Sequence, residues 1–230
     1  MPVLLTEGIV TRYVNYREND RIISIFSADR GRIDAKARGC RRSTSPLLPA
    51  CQPFVYGQFE LYAGKDKYTV NQCEIKESFF SIREDYGRFA FGSAMLQLAH
   101  SGVQENEPNG ALFSLLYHAL SYLAYGSAAP ADLFCCYLIR YLNVTGYRPA
   151  ITACARCGRD IRGDGVIRFS AQAGGAVCAA CERNAPVIGK TALEGIDSLT
   201  IEGDALEGPR GVRMGDTLSS VISRFRHSEG

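Results

Sequence analysis

The chain carries two CxxC pairs, Cys154/Cys157 and Cys178/Cys181, separated by a polar, glycine-rich segment of twenty residues. This spacing matches the pattern of structural zinc sites, in which 15 to 20 residues separate two CxxC pairs. Each CxxC turn lets two thiolates hold one tetrahedral ion, and a hairpin returns the second pair to the first. We therefore predict one structural Zn2+ ion, bound by these four cysteines in a zinc-ribbon module over residues 151–188.

The four cysteines also allow a dithiol redox pair, an iron–sulfur cluster or a coincidence of spacing. A redox CxxC is expected at a strand-to-helix junction, whereas Val166 to Phe169 between the pairs has the composition of a ribbon strand. Four cysteine ligands leave zinc no open coordination position, which argues against catalysis at the metal. We expect the ion to stabilise a segment that cannot bury a sufficient core by itself.

The first 80 residues contain short runs rich in Val, Ile, Tyr and Phe, which are typical of β-strands. Five runs are separated by turn sequences: EGIVTRYVNY, RIISIFSA, GRIDAKARG, FVYGQFELYAG and KYTVNQCEI. Five strands in about 70 residues fit a small barrel, and the Greek-key OB-fold is a barrel of that size that binds nucleic acids. We predict an OB-fold domain over residues 1–80.

After Phe79 the apolar spacing changes from two residues to about 3.6, which predicts a helical domain over residues 81–150. One apolar stripe at helical spacing follows a start signal at 106–109: Leu112, Leu115, Leu116, Ala119, Leu120 and Leu123. The segment from Asp132 to Val144 is apolar on nearly every face, which predicts a buried helix. Gly146 and Pro149 mark its end.

Residues 189–230 are predicted to form C-terminal helices that complete the helical domain. The last of them is a short amphipathic helix built on Leu218, Val221, Ile222 and Phe225. The predicted fold class is therefore α+β, with an N-terminal five-stranded OB-fold barrel, a central helical bundle, and a four-cysteine zinc-ribbon module inserted before the last helices.

Basic residues are concentrated between Ala28 and Arg42, where only two carboxylates accompany six cations. The cations are Arg30, Arg32, Lys36, Arg38, Arg41 and Arg42. In a strand, residues 30, 32, 36 and 38 project from one face, where they can neutralise phosphates with release of counterions. The alternative is an ordinary solvated strand, but the charge density and the barrel context favour DNA contact, with Lys36 and Arg38 as the strongest candidates.

Seven aromatic residues lie among the predicted strands: Tyr13, Tyr16, Phe26, Tyr56, Phe59, Tyr62 and Tyr68. An OB-fold barrel can stack bases on exposed rings, although most of these rings must fill the barrel. The sequence assigns none of them to stacking.

Signatures of catalysis are weak in this sequence. Gly189-Lys190-Thr191 resembles the end of a phosphate-binding loop, but Asn184 stands where that loop requires glycine, and a capping box of Thr191 and Glu194 explains the stretch. The three histidines are scattered, and we find no cluster of carboxylates for a Mg2+-dependent nuclease. We predict that the protein is not an enzyme.

The N-terminus lacks the basic and apolar regions of a signal peptide, and no apolar run approaches the roughly 18 residues of a membrane span. We therefore expect a cytoplasmic protein. The reducing cytosol and the odd count of nine cysteines argue against a disulfide framework. The remaining five cysteines are predicted to be small buried hydrophobic residues: Cys40, Cys51, Cys73, Cys135 and Cys136.

A basic barrel, a helical segment and a four-cysteine module in this order resemble the RecO family of bacterial recombination mediators. The resemblance spans nearly the whole chain. It rests on EGIVTRYVNYRENDRIISIFSADRGRIDAKARGCRR, on QPFVYGQFELY, and on CYLIRYLNVTGYRPAITACARCGRD, where a buried helix runs into the first CxxC pair. The final ISRFRH is loosely similar to the C-terminal helix of the family.

The resemblance implies a protein that binds single- and double-stranded DNA and anneals complementary strands without ATP. It also implies that the protein engages RecR and helps to load RecA onto strands covered by single-strand-binding protein, at the bacterial nucleoid during repair. It places DNA contact, as a group, on Arg17, Arg21, Lys36, Arg38, Arg41 and Arg42. Some family members lack the cysteines, so zinc is expected to be structural. The alternative function is a zinc-stabilised protein-interaction scaffold that does not anneal DNA.

Overall fold

The computed structural model of the chain describes residues 2–64 and 67–188. Contacts between residues divide the chain into two compact units, with the boundary after Pro130. The domain boundaries at 80, 150 and 188 were predicted from changes in the sequence pattern, and they stay a prediction. The helices predicted for 189–230, and Gly189-Lys190-Thr191, lie outside the described residues.

The first unit begins with a five-stranded barrel, as predicted. Its strands are β1 (Val3–Tyr16), β2 (Asp20–Ser27), β3 (Gly31–Ala37), β4 (Tyr56–Ala63) and β5 (Tyr68–Glu77). The barrel closes in the order β1-β2-β3-β5-β4, and β3 pairs with β5 in parallel while the other neighbours are antiparallel. This arrangement confirms the predicted OB-type barrel.

Buried and exposed side chains alternate along β3, so one face of the strand lines the barrel core and the other forms part of the outer surface. In β3, Ile33, Ala35 and Ala37 are buried in the barrel core. The residues that alternate with them point outward: Arg32 and Lys36 are partly exposed, and Asp34 is exposed. A single strand therefore supplies both part of the core and part of a charged surface.

The first strand is long enough to join two different neighbours. Its first half, Val3 to Ile9, pairs with β4, and its second half, Gly8 to Tyr16, pairs with β2, with an irregularity in register after Val10. A bulge at such a point bends a strand and increases its twist. The hairpin of β1 and β2 thus extends beyond β4 and carries Tyr16 and the turn that follows it at its end.

A short helix, α1 (Leu47–Ala50), lies between β3 and β4, and three helices follow the barrel: α2 (Ser81–Glu84), α3 (Tyr86–Gly102) and α4 (Gly110–Tyr125). The predicted stripe of α4 is buried along its whole length. Asn109 caps this helix, because its side-chain oxygen accepts a hydrogen bond from the backbone N–H of Leu112 at 3.0 Å. The ring of Phe113 packs edge-on against Phe26 of the barrel, with centroids 5.5 Å apart.

The second unit contains α5 (Pro130–Val144) and a three-stranded sheet of β6 (Ile167–Ser170), β7 (Gly175–Cys178) and β8 (Val187–Ile188), in the order β7-β6-β8. The predicted buried helix and the predicted ribbon strand are both confirmed. The helix ends in a Schellman motif, in which Gly146 has a φ of +84° and the N–H of Tyr147 donates to the carbonyl of Leu142 at 2.7 Å.

The helix α5 and the cysteine module share one small hydrophobic core. Cys136 and Ile139 of the helix pack with apolar residues of the module, among them Ile161, Ile167 and Val177. Four of the five cysteines outside the CxxC pairs are buried, and Cys73 is half-buried. None of the helices in the described part of the chain combines the length and apolar character that a membrane span requires.

Candidate nucleic-acid interface and metal centre

The four predicted cysteine ligands converge on one point of the second unit. Their sulfur atoms all lie within 4.8 Å of one another, and the Sγ atoms of Cys157 and Cys178 are 4.0 Å apart. Four thiolates at about 2.3 Å from one tetrahedral ion place their sulfur atoms about 3.8 Å from each other. The cluster therefore has the size and the donor set for one metal ion.

Each CxxC pair is held by a tight turn of the backbone. In the first turn, the N–H of Gly158 donates to the carbonyl of Cys154 at 2.8 Å, and Gly158 has a φ of +73° that favours glycine. In the second turn, the N–H of Cys181 donates to the carbonyl of Cys178 at 3.1 Å. Cys154 and Cys178 are buried while the other two cysteines are exposed, so the cluster lies at the edge of the module.

Hydrogen bonds to the sulfur atoms favour the thiolate form that binds metals. The backbone N–H of Cys178 donates to Sγ of Cys154 at 3.4 Å. This bond, and after it the backbone N–H groups of Cys157 and Arg156, lower the pKa of Cys154 to about 6. The backbone N–H of Cys181 likewise lowers the pKa of Cys178. The pKa of Cys181 is raised to about 12, because its thiol donates to the Cys178 thiolate. A divalent cation removes this conflict by stabilising all four thiolates together.

Close packing of two backbone segments holds the module in shape. Ala150 pairs with Gly175, and the carbonyl of Ala150 accepts a hydrogen bond from the N–H of Ala176 at 2.6 Å. A Cβ atom at position 175 would lie 2.2 Å from the Ala150 carbonyl oxygen, so this position requires glycine. This role of Gly175 was not predicted from the sequence, in which the Gly174-Gly175 pair is its one signal.

The arginines around the cysteines have partners within the module. Arg156 pairs with Glu182 at 3.0 Å, Arg159 with Asp164 at 2.6 Å, and Arg162 with Asp160 at 2.5 Å, while Arg168 donates to the carbonyl of Ala185 at 2.6 Å. Their positive charge is therefore largely balanced by neighbouring groups. This balance makes the module a weaker candidate for phosphate contact than the barrel.

The four cations predicted on one face of β3 fall into two groups at opposite ends of the strand. The strand itself contains Arg32 and Lys36, whereas Arg30 and Arg38 lie in the flanking turns. Seven residues at about 3.3 Å each give the strand a length of roughly 20 Å, which separates the two ends. The sequence predicted a continuous row of four cations on one strand face. The strand is shorter than the basic segment, so the structure instead has one pair at each end, Arg30 with Arg32 and Lys36 with Arg38.

One end of β3 brings cations from separate segments together. We call this surface the basic edge and define it by Arg17, Lys36, Arg38, Arg41 and Arg42. The guanidinium of Arg41 donates to the carbonyl of Glu18 at 2.9 Å, and its backbone N–H donates to the carbonyl of Asn19 at 3.0 Å. These bonds fix the segment after β3 against the turn between β1 and β2.

An acidic residue lies within the basic edge. Asp20 pairs with Nζ of Lys36 at 3.0 Å and accepts a hydrogen bond from the backbone N–H of Gly39 at 2.8 Å. The Gly39 N–H, and after it the Lys36 ammonium, lower the pKa of Asp20. Asp20 therefore orders the turn after β3 and also neutralises one cation of the surface.

Arg21 faces a different environment from the rest of the predicted group. Its guanidinium stacks on the ring of Tyr13 at 3.9 Å and donates to the carbonyl of Cys51 at 3.1 Å. A further hydrogen bond runs to the side chain of Asn15 at 3.3 Å. These contacts give Arg21 a role in holding β2 against the segment that contains α1, so it is a weaker candidate for DNA contact than the basic edge.

Arg30 and Arg32 lie at the other end of β3. Arg32 pairs with Glu105 at 3.4 Å, and Arg30 with Asp29 at 3.9 Å. The backbone N–H of Arg32 also donates to the carbonyl of Gln104 at 3.1 Å. Both arginines therefore have acidic neighbours, and they lie outside the basic edge, with Arg32 four residues along β3 from Lys36.

Comparisons with known families identify related sequences over most of the chain. A family model described as "Recombination protein O N terminal" matches residues 1–79, and a second, described as "Recombination protein O C terminal", matches residues 83–199. The first covers the barrel. The second begins within α2 and covers α3, α4, α5 and the four cysteines.

Curated relatives named "DNA repair protein RecO" also match most of the chain. The protein of Acetivibrio thermocellus is 37% identical over 184 residues, which are 80% of this chain and 72% of the relative. The protein of Alkaliphilus metalliredigens is 34% identical over 200 residues, which are 87% of this chain and 76% of the relative. The protein of Desulfitobacterium hafniense is 33% identical over 192 residues, which are 83% and 69% of the two chains.

Proposed function

Because the chain belongs to the recombination protein O family, which acts in recombinational DNA repair, we propose that it binds DNA through the basic edge and anneals complementary single strands without ATP. The observation that carries this proposal is the convergence of the β1–β2 turn and the segment after β3 on one end of the barrel. That convergence concentrates cations on a surface where each strand of DNA offers phosphates.

The proposed mechanism is electrostatic. Two complementary strands repel each other, and a surface that neutralises phosphates on both strands lowers that repulsion. Holding both strands on one protein also raises their local concentration, which favours pairing. No covalent bond is made or broken, so we propose that the protein is a mediator and not an enzyme.

We further propose the partners that the family resemblance implies. These are RecR, single-strand-binding protein and, indirectly, RecA, which the protein would help to load onto covered strands at the nucleoid. We propose Zn2+ as the ion of the cysteine cluster, because four thiolates in a closed tetrahedral site are typical of structural zinc. Cys154, Cys157, Cys178 and Cys181 would hold it without an open position for substrate.

The function is tested by annealing of two complementary labelled oligonucleotides with the purified, zinc-loaded protein in the absence of ATP. We expect the protein to accelerate annealing, and we expect the acceleration to fade as salt rises from about 50 to 200 mM, because salt competes for the phosphates. Fluorescence energy transfer between the two strands measures the rate. Folding and zinc content are measured on the same sample.

Lack of acceleration by folded, zinc-loaded protein at low salt would contradict the annealing proposal. If the protein also fails to bind either strand in a salt-dependent manner, the scaffold function replaces it. Salt-dependent binding without annealing would retain the basic edge as a DNA surface and remove the annealing step.

Replacing Asp20 by Asn is expected to strengthen DNA binding roughly two- to fivefold at low salt. The substitution removes the charge that neutralises Lys36, while the side-chain oxygen of Asn can still accept the hydrogen bond from Gly39. Fluorescence anisotropy with a labelled oligonucleotide measures the affinity.

Glu105→Gln is the matched control, since it also removes one carboxylate from an ion pair with a barrel cation, Arg32, at the opposite end of β3. We expect a smaller gain from Glu105→Gln than from Asp20→Asn. Equal gains would contradict the assignment of DNA contact to the basic edge alone, because binding would then not distinguish the two ends of β3.

A further inference from the structure

Exposed apolar side chains lie directly beside the basic edge. In the sheet register, Tyr16 of β1 is opposite Asp20 of β2, Val14 is opposite Ile22, and Ile22 is opposite Lys36 of β3. Residues opposite each other in neighbouring strands project from the same face of a sheet. The side chains of Tyr16, Val14 and Ile22 therefore form one patch that continues into the cations.

Tyr16 differs from the other aromatic residues of the barrel in its exposure. It is 39% exposed, whereas Phe26 and Phe59 are at most 1% exposed. Tyr13 is half-buried and packs against the barrel core. Across β1 to β5, all of which lie in the described part of the chain, Tyr16 is the one exposed aromatic residue, and the others are buried or half-buried.

The ring of Tyr16 has two cations as neighbours. The ammonium of Lys36 lies 4.9 Å from the ring centroid, and the guanidinium of Arg17 lies 5.4 Å from it. Val14 is 47% exposed, so the apolar surface extends beyond the ring along β1. A nucleotide joins a flat, apolar base to a phosphate through a single sugar, and this patch offers a partner to each of those two parts.

We propose that Tyr16, supported by Val14 and Ile22, is a stacking platform for unpaired bases and makes the basic edge select single-stranded over double-stranded nucleic acid. This inference rests on the proposed DNA binding and deepens it. Phosphate contacts alone do not provide such a preference, because a duplex carries the higher density of charge. Stacking does provide it, because base faces are available in a single strand and hidden in a duplex.

The stacking platform also favours release of the duplex product after annealing. Bases that lie on Tyr16 leave it when they pair with a complementary strand, so the duplex product lacks the stacking that each single strand had. The protein then holds the duplex less tightly than the separate strands at the same number of phosphate contacts. Release of the product therefore needs no nucleotide hydrolysis.

The test compares wild-type protein, Tyr16→Ala and Tyr16→Phe on three labelled probes. The probes are an oligothymidylate strand, an abasic strand of the same length, and a duplex with the same number of phosphates. We expect Tyr16→Ala to bind oligothymidylate roughly tenfold more weakly and to bind duplex within about twofold of wild type. Tyr16→Phe retains the ring and is expected to match wild type.

Two further readouts separate stacking from other effects. Wild-type protein is expected to lose affinity when the bases are removed from the strand, whereas Tyr16→Ala is expected to bind the normal and abasic strands alike. The salt dependence is expected to stay unchanged, because the substitution removes no charge. Tyr86→Ala is the matched control, since Tyr86 is 88% exposed on α3 and does not belong to the patch.

Equal weakening of single-strand and duplex binding by Tyr16→Ala would overturn the inference, because Tyr16 would then act only by positioning Lys36 and Arg17. Unchanged binding of every probe by Tyr16→Ala would overturn it as well. In both cases, salt-dependent binding by wild-type protein leaves the proposed function standing. Wild-type protein that binds none of the probes would overturn the proposed function together with this inference.

Discussion

Replacing Lys36 and Arg38 together by Gln is expected to weaken binding to all DNA sequences alike, by on the order of tenfold or more at moderate salt. It is also expected to flatten the plot of log affinity against log salt, by roughly 0.7 on single strands and 0.9 on duplex for each phosphate that is no longer neutralised. Annealing is expected to slow in parallel, because both strands depend on the same cations. Anisotropy titrations over a salt series measure the two effects.

The reason for the size of this effect lies in the arrangement of the basic edge. Lys36 is on the sheet face beside Tyr16, and Arg38 begins the segment that is fixed to the β1–β2 turn by Arg41. Loss of Lys36 and Arg38 removes two of the five cations that define the surface. Neither substitution removes a buried apolar side chain, so the fold is expected to be retained.

The control is Arg30→Gln with Arg32→Gln, which changes the net charge equally at the other end of β3. Arg30 and Arg32 have carboxylate partners, as Lys36 has in Asp20, but they lie outside the basic edge, so we expect a much smaller loss of affinity. Equal losses in the two double variants would extend the DNA surface along the whole strand. Wild-type binding by folded Lys36→Gln/Arg38→Gln protein would remove the basic edge as the contact surface.

The sequence predicted the local elements well because their signals are local. Alternation marked the five strands, and the leucine stripe marked α4. The sequence did not predict α3 as a separate helix, because its aromatic residues do not mark the buried face. Tyr86 and Phe89 are exposed, whereas the buried residues are Gly92, Met95, Leu96 and Ala99. The parallel pairing of β3 with β5, which closes the barrel, involves segments more than thirty residues apart and leaves no local signal.

The candidate sites also differ in whether a local sequence signal was sufficient to predict them. Fixed spacing within one segment was sufficient to identify the cysteine cluster. The basic residues could only be grouped by position in the sequence. Their division into the basic edge and a separate pair depends on where β3 ends, and the pairing of Lys36 with Asp20 depends on the register of β2 and β3.

The replacement of Cys154 by Ser is expected to release the metal and to unfold much of residues 151–188. Among the residues that the structure describes, eleven buried ones form the core that this module shares with α5, and two of them are the predicted ligands Cys154 and Cys178. Ion binding in small structural zinc sites contributes a folding free energy of order 10 kcal/mol, so the core is not expected to persist without the ion. Cys136 and Ile139 belong to the same core, so the packing of α5 is expected to loosen as well.

Zinc content by a chromogenic chelator and hydrogen exchange of the backbone amides measure these effects. We expect Cys154→Ser to lose stoichiometric zinc and the protection of β6 and β7. Cys73→Ser is the matched control, because Cys73 is a half-buried thiol in the barrel and is expected to leave zinc content unchanged. Full zinc and full stability in Cys154→Ser protein would contradict the structural role of the ion.

The same variant separates structural support from DNA contact. The cations assigned to DNA lie in the barrel, whereas the arginines of the module are paired locally with carboxylates or a carbonyl. Cys154→Ser protein whose barrel amides remain protected is therefore expected to bind an oligonucleotide with the wild-type salt dependence. If DNA binding disappears while barrel protection persists, the module itself contacts DNA, and its ion pairs must open for phosphate to enter.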